Sequence, residues 1–196
     1  MPEILSLKPV GLREVWPKEA DDFTPWLAKN IERLGAELDL RFGQVSTEVT
    51  LPGAGRVDIH AEQVGTGARV VIENQLEDSD DGHCLRLLGY AARAEASILV
   101  WVARSFSSYH RSILEWLNDA DTIHVYALSV RAYRVGDALT ANFETVIAPR
   151  QSQPTASHPA KSTTNFNTLS AEFYRPLVER LRRKGIHPVG GGSSFV

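Results

Sequence analysis

Gly55-Arg56-Val57-Asp58-Ile59-His60 and Val70-Val71-Ile72-Glu73-Asn74-Gln75 are two runs rich in β-branched residues, joined through Gly65-Thr66-Gly67. Short runs of this kind separated by a glycine turn read as a β-hairpin. If Gly65-Thr66 is a two-residue loop, with glycine first as a type II′ turn demands, Asp58 lies opposite Glu73. If Thr66-Gly67 is the loop, Asp58 lies opposite Gln75. Side chains alternate along each strand, so both registers place Asp58, Glu73 and Gln75 on one face.

Outward from the hairpin, residues 44–51 form a further strand, completing a three-stranded meander with strands at 56–64 and 68–74. Upstream, Phe23, Trp26, Leu27, Ile31, Leu34 and Leu38 recur at the three-and-four spacing of one apolar helix face. This predicts a helix near 22–39, capped by Asp21 or Asp22, with Pro25 in its first turn. Downstream, Asp80 is a cap for a helix at 81–94 that turns Leu85, Leu88 and Ala92 inward. An apolar strand at 97–103 follows, then a helix begun by Ser107 or Ser108 that carries Ile113, Leu114, Trp116 and Leu117. Strands at 122–130, 131–135 and 143–147 complete an α-β-β-β-α-β-α-β order, an α/β domain with a mixed sheet flanked by helices.

Residues 1–149 make this domain. Residues 150–168 are Ser, Thr, Pro, Gln and Asn with almost no large apolar side chain, the composition of a polar linker. Phe173, Leu177 and Leu181 then predict an amphipathic helix and a tail over 169–196, the start of a further domain. Hydrophobic residues are 43% of the 196 and charged residues 23%, the balance of a globular chain. No apolar run approaches the roughly 20 residues that cross a bilayer. Nor do the first residues resemble a secretion signal, so the expected location is cytoplasmic. Cys84 is the one cysteine, which excludes an internal disulfide and paired-cysteine zinc sites. The net charge of −3 divides into −7 over 1–150 and +4 over 151–196, and a domain so acidic argues against tight, sequence-independent nucleic-acid binding.

Two partly buried carboxylates facing one another repel unless a cation or a shared proton compensates. Mg²⁺ prefers hard oxygen donors and retains waters, so Asp58, Glu73 and the main-chain carbonyl of Asn74 offer a partial shell open to a phosphate. Such an ion, Mg²⁺ or Mn²⁺, activates water and stabilises charge on a phosphodiester oxygen. Gln75, on the same face, is placed to hold that water by a hydrogen bond but is no base. A helix stripe of His83, Arg86, Tyr90 and Arg93 could contact phosphates and bases. Glu32 or Glu37 of the first helix is a further candidate for the metal site. Tyr109-His110 and His124 lack a nucleophile partner at an informative spacing and default to core or surface roles.

The first helix, the meander, Asp58, the apolar run into Glu73-x-Gln75, the next helix and the strand at 97–103 together resemble the PD-(D/E)XK, or restriction-endonuclease-like, nuclease superfamily. More narrowly, Val70 to Leu76, then Asp80, His83, Leu87 and Tyr90-Ala91-Ala92, then Val100 to Ala103, resemble an uncharacterised bacterial branch with an IENQ motif. The resemblance spans about Trp16 to Pro149 and implies an αβββαβ core, metal ligation by Asp58 and Glu73, and DNA as substrate. Gln75 stands where the superfamily usually has lysine, and Arg86 and Gly89 stand where the branch has Gln and Thr. It also implies His83 at the edge of the site and Arg86 on backbone phosphate. Two readings follow: a metal-dependent DNA phosphodiesterase in defence or repair, or a non-catalytic nuclease-like module that binds nucleic acid, a protein partner or a C-terminal domain. A homodimer through Trp and Leu residues of one helix is a third.

Overall fold

The computed structural model describes residues 6–120 and 122–149. The linker expected at 150–168 and the helix expected beyond it lie outside the described residues. In chain order the elements are β1 (Lys8–Val10), α1 (Leu12–Val15), a π-helical turn (Glu19–Phe23), α2 (Thr24–Lys29), α3 (Ile31–Leu38), β2 (Phe42–Leu51), β3 (Gly55–Gln63) and β4 (Arg69–Asn74). Then come α4 (Asp81–Ala94), β5 (Ile98–Ala103), α5 (Ser108–Asp119), β6 (His124–Val135) and β7 (Ala138–Ile147).

The strands build one mixed sheet in the order β1-β6-β5-β4-β3-β2, with β7 also on β6. β2, β3 and β4 run antiparallel to their neighbours as a meander, whereas β4, β5 and β6 are parallel. A parallel crossover needs a covering helix, and α4 and α5 supply the two. The β4 and β5 side chains divide strictly by parity. Val70, Ile72, Val100 and Val102 pack with Leu12, Phe23, Leu27, Leu34 and Leu38 of the N-terminal helical segment. Val71, Leu99 and Trp101 pack with Cys84, Leu87, Tyr90, Leu114 and Leu117 of α4 and α5. The domain is therefore an α/β/α sandwich with an apolar layer on each sheet face, each large side chain contributing roughly 1.5–3 kcal/mol by burial.

Most expected elements are present, with instructive departures. The helix expected at 22–39 begins earlier, at Glu19, where the Lys18 N–H donates to Asp22 at 2.8 Å. It breaks at Asn30, whose side chain donates to the Trp26 carbonyl at 2.8 Å. Residues 124–135 form one strand rather than two. Asp80 and Ser107 cap α4 and α5 through Oδ1 to the His83 N–H and Oγ to the His110 N–H. On α4 the inward face is Cys84, Leu87, Tyr90, Ala91 and Ala94; of the three residues expected there, Leu88 is partly buried against the same core, whereas Leu85 and Ala92 are exposed. Leu85 is 73% exposed. The small inward residues let α4 lie close to β4 and β5, a packing reason that outweighs leucine's hydrophobicity.

Candidate functional site

The hairpin takes the first of the two registers, Ile59 opposite Ile72 and His60 opposite Val71, but over a wider loop than two residues. The Gln63 N–H donates to the Ala68 carbonyl and the Gly67 N–H to the Gln63 carbonyl, with Gly65 and Gly67 both at positive φ. The β3–β4 ladder ends at Ile59–Ile72. Beyond it Asp58 substitutes for the missing rung: its Oδ2 accepts the Asn74 N–H at 2.8 Å.

Glu73 follows on β4 with a side chain only 2% exposed, on the face covered by α4. Arg86, one turn into α4, reaches down to it, Nε to Oε1 at 2.9 Å. Glu73 Oε2 is buried and has no hydrogen-bond partner among the described residues. Burial, then the neighbouring Asp58, push the Glu73 carboxyl up to about 8 despite Arg86. Burial likewise raises Asp58, to about 6, against the Asn74 hydrogen bond. One guanidinium thus leaves the carboxylate pair under-compensated.

Two more carboxylates act on this pair, and neither is among the candidates drawn from sequence. Glu48 sits on β2 between Thr47 and Val49, which pair with Ile59 and Val57. Its φ of +55 is unusual for a non-glycine residue in a strand. One Glu48 oxygen is buried without a partner, while the other pairs with Arg56. Glu19, on the π-helical turn, accepts the Leu76 N–H at 2.8 Å and raises both Asp58 and Glu73 through its charge. The strand pairing across the turn at 52–54 was a legible signal for Glu48. For Glu19 there was none, because the helix start lay outside the expected span. Glu37 instead holds the Thr145 N–H and Oγ1, away from the site.

Gln75 is fully engaged. It is 1% exposed, its Nε2 donates to the Asp78 carbonyl and to Asp80, and its Oε1 accepts Trp101 Nε1 at 2.9 Å. Both amide protons are committed, so in this arrangement Gln75 fastens the 75–80 loop to the sheet and has no free proton to donate to a water. The Asn74 side chain turns to the opposite face, donating to Thr24 Oγ1. The α4 stripe is divided: Tyr90 is buried and His83 half-buried, whereas Arg86 and Arg93 are exposed. His83 Nδ1 pairs with Asp80 at 2.6 Å, and Arg93 ties the helix to the Pro52 carbonyl. Tyr90, expected to reach nucleic acid, is 4% exposed in the core, because the tip of the meander folds over its ring and leaves no face for a base. Arg86 contacts Glu73, where a phosphate had been expected.

A groove of about 470 Å³ runs between α4 and the β2–β3 turn, lined by Gly53, Ala54, Leu85, Arg86, Gly89 and Arg93 among others. Arg86 therefore separates Glu73 from this groove. His110, buried at the start of α5, bridges Ser79 and Ser107 through Nδ1 and Asp81 through Nε2. It clasps the first turns of α4 and α5 together, which is the core rather than the surface alternative of the two default roles expected for it. Among the described residues no three His, Cys, Asp or Glu side chains form a metal-holding group. The donors on offer to a divalent ion are Asp58, the unpartnered Oε2 of Glu73 and main-chain carbonyls, a set of hard oxygens suited to Mg²⁺ or Mn²⁺ once waters fill the remaining positions. Compared with known proteins, the chain matches no family model, no curated protein and no solved structure. No helix among the described residues is long and apolar enough to cross a membrane.

Proposed function

We propose that residues 1–149 form a restriction-endonuclease-like nuclease domain whose Asp58 and Glu73 hold Mg²⁺ or Mn²⁺ for phosphodiester hydrolysis of DNA. The observation that carries this reading is the buried, mutually repelling Asp58–Glu73 pair, with Glu73 Oε2 unpartnered and one arginine as its only close cation among the described residues. DNA as the substrate class comes from the family resemblance alone. When bound, the metal supplies an activated water and neutralises charge on the phosphodiester oxygens. Asp58 orients its carboxylate by accepting the Asn74 N–H, and Glu73 presents Oε2 beneath Arg86. Arg93, in the groove, offers a guanidinium to backbone phosphate.

The test is nicking of plasmid DNA with Mn²⁺ or Mg²⁺ by the full chain and by Asp58→Asn and Glu73→Gln. Asn keeps an acceptor for the Asn74 N–H, so the fold survives. Cleavage that needs metal and disappears in both variants supports the proposal; equal cleavage by parent and variants refutes it.

A second reading, a non-catalytic nuclease-like module, draws on a different observation. Arg86 already occupies Glu73 Oε1, and Gln75 has no free proton for a water. Under it the chain binds DNA or a protein partner without cleavage, and both variants bind like the parent.

A further inference from the structure

We infer that Arg86 is the resident counter-ion of the acidic site, so that its ion pair with Glu73 and tight divalent-metal binding at Asp58 and Glu73 exclude one another. The inference rests on the metal-site reading above. Arginine keeps its charge at any working pH, so once seated on Glu73 it is a permanent competitor for a cation there. The seat is asymmetric. Glu73 is fixed on a central strand and 2% exposed, whereas the Arg86 side chain is 45% exposed and reaches the carboxylate from the surface.

Arg86 is also able to leave. It lines the groove beside α4, where a side chain added at Gly89 would meet nothing within 4 Å, so a rotamer change carries the guanidinium from Glu73 into open space. Among the described residues its hydrogen bond is to Glu73 alone. The vacated position opens Glu73 Oε1 and Oε2 together toward Asp58. Arg86 therefore sets metal affinity without being a ligand, and it is a positioning residue.

The experiment is calorimetric titration of Mn²⁺ into the full chain and into Arg86→Gln, Arg86→Lys and Arg86→Met, with thermal unfolding of each in a chelator. Removing the competing charge should tighten Mn²⁺ binding by about tenfold or more in Arg86→Gln and Arg86→Met, while Arg86→Lys stays near the parent. The neutral variants should also melt lower than the parent in the chelator and recover with Mn²⁺, because their carboxylates have lost their counter-ion. Mn²⁺ affinity that is unchanged or weaker in the neutral variants overturns the inference and leaves the metal site standing. Neutral variants as stable as the parent in the chelator overturn it as well. Absence of Mn²⁺ binding in every protein overturns the metal-site reading itself, and this inference with it. Arg86→Met preserves the apolar stem and keeps the test usable if Arg86→Gln does not fold.

Discussion

Neutralising Glu73 by Glu73→Gln should make the domain more stable at alkaline pH, although it removes an ion pair. The carboxyl is raised from its ordinary 4.5 to about 8, first by burial and then by Asp58. The folded protein therefore holds a proton that the unfolded chain releases, so the stabilisation Glu73 contributes is fully present below pH 4.5 and is lost as pH rises through 8. Each tenfold change in proton affinity is worth about 1.4 kcal/mol, and part of the total belongs jointly to Asp58, so the decline attributable to Glu73 is on the order of 2–4 kcal/mol. Losing the Arg86 contact returns about 1 kcal/mol, because that guanidinium is half exposed. The net gain for Glu73→Gln at pH 9 is about 1–3 kcal/mol, which is several degrees in melting temperature for a domain of this size. Urea and thermal unfolding in a chelator from pH 5 to 9 measure it directly. A variant less stable than the parent at pH 9, or with the same pH slope, would show that Arg86 fully compensates the pair and that no cation is wanted.

Gln75→Leu should destabilise the domain by about 2–4 kcal/mol and alter Trp101 fluorescence, since it strips the partner from Trp101 Nε1 and frees the 75–80 loop; chemical denaturation with emission spectra checks both. Asp80→Ala should cost about 1–2 kcal/mol through the lost α4 cap, read as increased amide exchange in the first turn of that helix. Gly35→Ala, ordinarily favourable in a helix, should instead destabilise by about 1–3 kcal/mol, because its new methyl carbon would clash with the Leu40 carbonyl oxygen; thermal unfolding decides the sign.

Local rules made the hairpin legible. β-branched alternation fixed which residues of β4 share a face, and the glycine loop narrowed the register to two choices of which the first is adopted. Asp80 and Ser107 were readable as caps because a cap depends on residues three apart. What sequence hid was tertiary. The three-residue β1 exists only because β6 is long enough to pair with it beyond β5. The face of α4 is chosen by closeness of packing, so Leu85 points outward while Cys84, Leu87, Ala91 and Ala94 point in. Arg86 on Glu73 joins a helix to a strand, and the engagement of Gln75 depends on Trp101 from a neighbouring strand. Neither pairing has a periodicity to betray it.

The carboxylate of Asp58 completes a sheet ladder that main-chain atoms leave unfinished. Drift under relaxed selection therefore meets resistance at this position whether or not the chain cleaves anything, since a lineage that lost its chemistry would still unfold a strand end by discarding the residue. Gln75, tied to Trp101 and to the 75–80 loop, is held in the same way. Persistence of such residues among descendants would record the demands of architecture, and Glu73, whose second oxygen serves no other atom of the described fold, is the position at which loss of function would first become visible.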